Sequence, residues 1–128
     1  MKLLLDTHTF IWWDSEPAKL SSRAIAACQE PTHTLLLSVA SVWEMQIKQQ
    51  LRKLTLGMPL KDLLARQQAV NRIQVLPIEL SHVLAMDALP LHHRDPFDRL
   101  LIAQAIVEGA TLVTADPIVA LYSVPVLW

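Results

Sequence analysis

Asp95–Asp116 reads DPFDRLLIAQAIVEGATLVTAD, and this stretch decides the fold. Asp95 directly before Pro96 has the form of a helix N-cap with proline at the first helical position. Pro96 to Glu108 then reads as a helix that is apolar nearly all round, through Leu100, Leu101, Ile102, Ala103, Ala105, Ile106 and Val107. A helix with no polar face is buried. Gly109 supplies its stop, and Thr111 to Val113 forms a short apolar run that reads as a strand covered on both faces. A buried helix leading straight into a buried strand is the building unit of a parallel α/β sheet.

The same alternation extends towards both termini. Lys2 to Leu5 is an apolar run ended by Asp6, a second covered strand, followed by a helical turn from Thr7 to Trp13. Ser21 and Ser22 precede a short helix, Arg23 to Gln29, which Pro31 stops. Thr34 to Leu37 is another strand, and Ser38 opens a helix from Val39 to about Leu51. Its Val39, Val42, Trp43, Ile47 and Leu51 recur at helical steps and are expected to face the core. After the Gly57 and Pro59 turn, Leu60 to Arg72 is amphipathic, with Leu60, Leu63, Leu64 and Val70 on one side. Ile73 to Leu76 is a short strand, Ser81 caps a helix from His82 to about Leu89, and Val124 to Leu127 adds a last strand. The expectation is one α/β domain over residues 1–128, a mainly parallel central sheet with helices on both faces.

Composition narrows the function classes. A chain of 128 residues, 52% apolar and 18% charged, excludes the disordered and collagen-like classes. Cys28 has no partner, so no disulfide or thiolate framework exists; it reads as a small buried apolar residue. The apolar start Leu3 to Leu5 is far shorter than the roughly 7–15 apolar residues of a signal peptide, and a charge interrupts every stretch approaching a membrane span. A cytoplasmic protein without a membrane segment is expected. A net charge of −1 gives no general attraction to nucleic acid, so any such binding is local or cation-mediated.

In open parallel sheets, ligands bind outside the carboxyl ends of the strands. Asp6 ends the first strand, Glu44 lies early in the helix after the second, and Asp116 follows Thr111 to Val113 by three residues. Asp98 lies in the first turn of the buried helix. Each acid also has a capping explanation: Asp6 and Asp116 before turns, Ser41 and Glu44 at capping-box spacing, and Asp98 at an N3 position favoured by the helix dipole. Jointly they suggest more. Four carboxylates on one rim require a cation or protons, and oxygen ligands without cysteine suit Mg²⁺ or Mn²⁺ better than zinc. That is the outline of a site for hydrolysing phosphodiesters.

Four blocks in order, LLLDTHTFIWW, SVASVWEMQIK, HRDPFDRLLIAQA and TLVTAD, resemble the PIN-domain ribonucleases, in particular the VapC-type toxins of bacterial toxin–antitoxin pairs. They span Leu3 to Asp116. The resemblance implies a PIN-like three-layer α/β/α domain and an Mg²⁺- or Mn²⁺-dependent endoribonuclease, dimeric and silenced by a cognate antitoxin. Matched position by position, the family's acids fall on Asp6, Glu44, Asp98 and Asp116, with Thr114 as the small hydroxyl residue of the closing block. Asp95 is an additional acid in the same turn, read chiefly as the helix cap. The rival reading is a catalytically silent PIN-like domain that acts as an RNA-binding or protein-interaction scaffold.

Basic residues near these acids are candidate RNA contacts. Lys48 and Arg52 follow Glu44 at steps of four and are expected on one helix face, with Lys53 beside them. Arg99 and Arg94 flank the Asp95 and Asp98 turn. For all of them the competing explanation is ion pairing on a solvated face. Trp12, Trp13 and Trp43 lie in apolar periodic segments and read as core or dimer packing rather than base-stacking surfaces. His8, His92 and His93 lie near the acids and read as hydrogen-bonded structural residues or substrate contacts rather than metal ligands.

Overall fold

The computed structural model describes residues 1–128. Five strands, β1 (Lys2–Leu5), β2 (Thr34–Ser38), β3 (Gln74–Leu76), β4 (Thr111–Val113) and β5 (Val126–Leu127), form one sheet in the order β3-β2-β1-β4-β5. Every pairing is parallel, with Leu3 opposite Leu35 on one side and opposite Thr111 on the other. Six α-helices accompany it: α1 (Thr7–Ser15), α2 (Ser22–Gln29), α3 (Val39–Gln50), α4 (Leu60–Val70), α5 (Leu80–Ala85) and α6 (Pro96–Glu108). Strands that are covered on both faces need side chains that are apolar both ways. Leu3, Leu4 and Leu5 are accordingly inaccessible.

Alternation along the strands divides the core. Leu3, Leu5, Leu35, Leu37 and Val113 pack with Phe10, Ala24, Cys28 and Leu63 from α1, α2 and α4. Leu4, Leu36 and Leu112 face the other way, against Ala40 of α3 and Leu100, Leu101, Ile102 and Ala105 of α6. Cys28 is buried in the first layer, and its desolvation pushes the thiol pKa up to about 11, which makes it a poor nucleophile.

The α6–β4 unit forms as its sequence indicates. Asp95 accepts the Phe97 N–H at 2.8 Å, and Gly109 closes the helix at φ +64°, where a Cβ carries strain. Burial all round holds from Leu100 to Ala105 only; Ile106 and Val107 emerge on the last turn.

Several expectations are corrected. The α3 stripe faces the core only in part: Val42 packs against it, but Val39, Trp43 and Leu51 are exposed, Trp43 to 56%, while Ala40, Ser41, Glu44 and Met45 are buried. Small side chains at 40 and 41 let the helix lie close on the sheet, and this orientation turns the larger apolar residues outward. The helix also ends at Gln50. Lys53 N–H and Arg52 N–H return to the carbonyls of Lys48 and Gln49, and Arg52 takes φ +57° at the left-handed position that follows a helix. Arg52 is therefore not on the helix face of Glu44 and Lys48.

Val70 is exposed, and α4 ends there rather than at Arg72. Ser81 does not cap α5. That helix starts at Leu80 because the His82 ring accepts the Glu79 N–H through Nδ1 at 3.0 Å, and it passes into a 3-10 turn at Met86–Ala88 well before Leu89.

Candidate active site

Strand β1 lies in the middle of the sheet, so the chain leaving its carboxyl end meets the ends of β2 and β4. Asp6 is the first residue out. It caps α1, with Oδ1 accepting the Thr9 N–H at 2.7 Å, while Oδ2 accepts the Thr114 hydroxyl at 2.5 Å. Thr9 Oγ1 donates to the Val113 carbonyl at 3.0 Å and pins α1 to β4. The capping explanation and a place in the site are thus both satisfied at Asp6.

Glu44 is buried in α3, and the capping-box explanation for it fails. Ser38 is the cap, its Oγ accepting the Ala40 N–H at 3.0 Å, and Ser41 lies inside the helix. The Glu44 carboxylate instead accepts the Thr7 hydroxyl on Oε1 at 2.5 Å and pairs with Lys48 through Oε2 at 2.9 Å. Thr7 Oγ1 lies 3.0 Å from Ser41 Oγ, so two buried hydroxyls and the half-buried Lys48 ammonium hold this acid in one orientation.

Asp98 is in the first turn of α6, where the helix dipole favours an anion. Burial outweighs that. Desolvation, and then the charges of Asp95, Glu44 and Asp6, push its pKa up to about 6, against a smaller opposing pull from His93. Asp116 follows β4 and caps a turn, Oδ1 accepting the Ile118 N–H at 2.9 Å; Oδ2 lies 2.8 Å from His93 Nε2. Desolvation works against its ionised form, but the hydrogen bonds from His93 and the Ile118 amide outweigh it and hold the pKa below the usual carboxylate value.

The four acids expected from the sequence therefore meet on one rim. Asp6 and Asp116 line a cleft of about 400 Å³ with His8 and Trp12. Glu44 lines an adjoining groove of about 500 Å³ with Lys48, Lys53, Arg94 and Asp95. Asp95 itself is exposed and its carboxylate caps α6. Thr114 links Asp6 to the β4 end, since its Oγ1 also accepts the Asp116 N–H at 3.1 Å.

Among the basic candidates, Lys48 is engaged by Glu44, and Arg52 is exposed past the end of α3, off the face that carries Glu44 and Lys48. Arg99 turns away from the acids: its guanidinium donates to the carbonyls of Pro90, Met86 and Leu89 and approaches the Tyr122 hydroxyl. The sequence places His93 near the acids as a hydrogen-bonded residue but gives no sign that its partner is Asp116. Its Nε2 forms, with carboxylate oxygens of Asp98 and Asp116, a group of potential ligand atoms all within 4.8 Å of one another. Thr7 and Tyr122 are not singled out by the sequence, and Ser41 is read there only as a cap. The only signal at Thr7 is adjacency to Asp6, and Tyr122 has no acid beside it.

The family model for the PIN domain matches residues 3–124. The chain belongs to the PIN-domain family. This PIN domain is 35% identical over 117 residues to Ribonuclease VapC22 of Mycobacterium tuberculosis, covering 89% of the chain and 86% of the relative. In fold it is similar to VapBC2 from Rickettsia felis, solved bound to a DNA fragment from their promoter, with a TM-score of 0.73 at 15% identity over 99% of this chain and 98% of that one. It also resembles VapBC-1 from nontypeable Haemophilus influenzae, with a TM-score of 0.57 at 19% identity over 91% and 87%. At those identities the two structures speak for the PIN fold alone.

Proposed function

We propose that this PIN domain is a VapC-type endoribonuclease that depends on Mg²⁺ or Mn²⁺, and that it is the toxin of a toxin–antitoxin pair. The observation that carries the reading is the meeting of Asp6, Glu44, Asp98 and Asp116 at the carboxyl ends of the strands, tied by Thr114, Thr7 and His93. Asp98 lies close enough to the other acids that burial and their charges push its carboxyl pKa up to about 6. Lys48 offsets part of this charge at Glu44, and His93 opposes it at Asp98. Such a rim is incomplete without a cation, and its predominantly carboxylate donor set fits Mg²⁺ or Mn²⁺.

Asp6, Asp98 and Asp116 are the residues that would hold the ion, with Glu44 supporting it from α3. A divalent cation there supplies charge neutralisation at the phosphate and a more acidic water for attack. Thr114 and Thr7 keep Asp6 and Glu44 oriented through their hydroxyls, and Thr114 also receives the Asp116 amide. Lys53 and Arg94, in the groove beside Glu44, offer charge to the RNA backbone, with Lys48 and Arg52 as further contacts.

The partners follow from the relatives and from the surface. The name Ribonuclease VapC22 supports RNA as substrate, and the paired name VapBC supports a cognate antitoxin, whose basic side chain would neutralise the acids. Homodimerisation is supported by the exposed Val39 and Trp43 of α3 and Leu51 just past its end, together with Leu80, Val83 and Leu84 of α5, two helices that both pack on α6. No helix is long and apolar enough to cross a membrane; a cytoplasmic location is proposed with the nuclease role.

The test is cleavage of mixed cellular RNA with Mg²⁺ or Mn²⁺ and with EDTA. Metal-dependent cuts leaving 5′-phosphate and 3′-hydroxyl ends are expected. Activity that survives chelation, or 2′,3′-cyclic phosphate ends, contradicts the scheme, and no cleavage under any metal favours the silent scaffold.

A further inference from the structure

His93 is held on every side but one. Its ring is buried, stacked on Tyr122 at 5.7 Å and 17°, and its backbone N–H donates to the Tyr122 hydroxyl at 2.7 Å. Nε2 lies 2.8 Å from Asp116 Oδ2 and 3.9 Å from Asp98 Oδ2. Nδ1 is buried with no hydrogen-bond partner. That last fact discriminates between two roles.

Were Nε2 a ligand, the proton of the neutral ring would sit on Nδ1, leaving an unsatisfied buried N–H at a cost of about 1–3 kcal/mol. Ligating histidines almost always donate that second N–H to an acceptor. With the proton on Nε2 instead, the ring donates to Asp116, and Nδ1 is an unused lone pair, the more tolerable kind of orphan.

We propose that His93 is a positioning residue that fixes the Asp116 carboxylate for a cation by donating its Nε2 hydrogen to Oδ2. With Oδ1 held by the Ile118 amide, both ends of the carboxylate are tied. Each oxygen keeps a lone pair to offer. The Asp116 amide donates to Thr114, which donates to Asp6, so the orientation set at His93 extends to the acid at the end of β1. This role rests on the metal-site reading above, but it assigns a residue outside the four acids.

The experiment measures Mn²⁺ binding by calorimetry and by pulsed EPR on the wild type, His93→Ala and His93→Gln, with thermal melting of each. Removing such a support typically costs about 10–100-fold in metal affinity, and that loss is expected for His93→Ala. His93→Gln, whose amide presents an N–H at similar reach, is expected to stay within about threefold of the wild type. The bound Mn²⁺ is expected to show no directly coordinated nitrogen.

A natively melting His93→Ala that binds Mn²⁺ like the wild type overturns the proposal. So does a natively melting His93→Gln that loses affinity by tenfold or more, and so does strong direct nitrogen coupling in the wild type, which would make His93 a ligand. A wild type that binds no Mn²⁺ overturns the metal-site reading itself.

Discussion

Thr114 donates its hydroxyl proton to Asp6 across 2.5 Å while accepting the Asp116 N–H at 3.1 Å, so a single threonine joins acids that lie 110 residues apart in the chain. Its side chain is buried, and the hydroxyl's one proton and one of its lone pairs are both in use. Thr114→Val is expected to leave both acids under-supported. Cleavage should drop by about 10-fold or more, in line with the loss of other groups that orient metal ligands, and Thr114→Ser should recover most of it. Steady-state rates on one RNA substrate check this.

Asp98→Asn removes one charge from a crowded rim. Relief of repulsion is expected to leave the metal-free protein as stable as the wild type or more so, while cleavage falls by orders of magnitude. Asp95→Asn is the comparison, since asparagine keeps the oxygen a cap requires. Parallel melting curves and cleavage assays separate the two roles.

The pH dependence of stability has a definite sign. With the folded pKa of Asp98 near 6, above its ordinary 3.8, the native state binds the proton more tightly than the unfolded chain between these values. Stability from this group therefore declines as pH rises through that window. Asp116 is shifted downward, so its contribution is present above the ordinary value and is lost only on further acidification. Metal-free protein is expected to melt at higher temperature at pH 5 than at pH 7.5, and Asp98→Asn should flatten that difference. Melting at both pH values, with EDTA present, is the measurement.

Lys48 is the cation that nature has placed against Glu44. Replacing it with methionine leaves a largely buried carboxylate with only hydroxyl partners, for a loss of about 1–3 kcal/mol in chelator. Saturating Mn²⁺ should restore part of this. Urea midpoints with and without the metal report both quantities.

Arg52 occupies a left-handed backbone position that favours glycine. Arg52→Gly is expected to stabilise the protein by about 0.5–1 kcal/mol. If Arg52 also touches RNA, the same variant should show a raised KM and a shallower salt dependence of binding. A more stable protein with an unchanged salt slope would assign the residue to the turn alone.

The sheet and the acid rim are legible before the fold is seen because they depend on local patterns. Leu3 to Leu5, Leu35 to Leu37 and Thr111 to Val113 are too short and too apolar for anything but covered strands, and acids at their ends must share an edge. The α3 face is not legible in this way. Periodicity shows that Val39, Trp43 and Leu51 align, yet it cannot distinguish a stripe facing the core from one facing outward. Here the small Ala40 and Ser41 prevail. His93 is illegible for another reason: its orientation depends on Tyr122, 29 residues later, and on Asp116 beyond the next strand.

The placement of β4 beside β1 bears on the order of synthesis. Asp6 is translated more than a hundred residues before Thr114 and Asp116, and β4 is seated between β1 and β5 (Val126–Leu127). A nascent chain that stops short of Thr111 has Asp6, Glu44 and Asp98 but neither the strand that seats them nor the last acid. The long-range pairing must wait for that segment. A polypeptide built this way has no assembled centre until β4 and Asp116 have been translated.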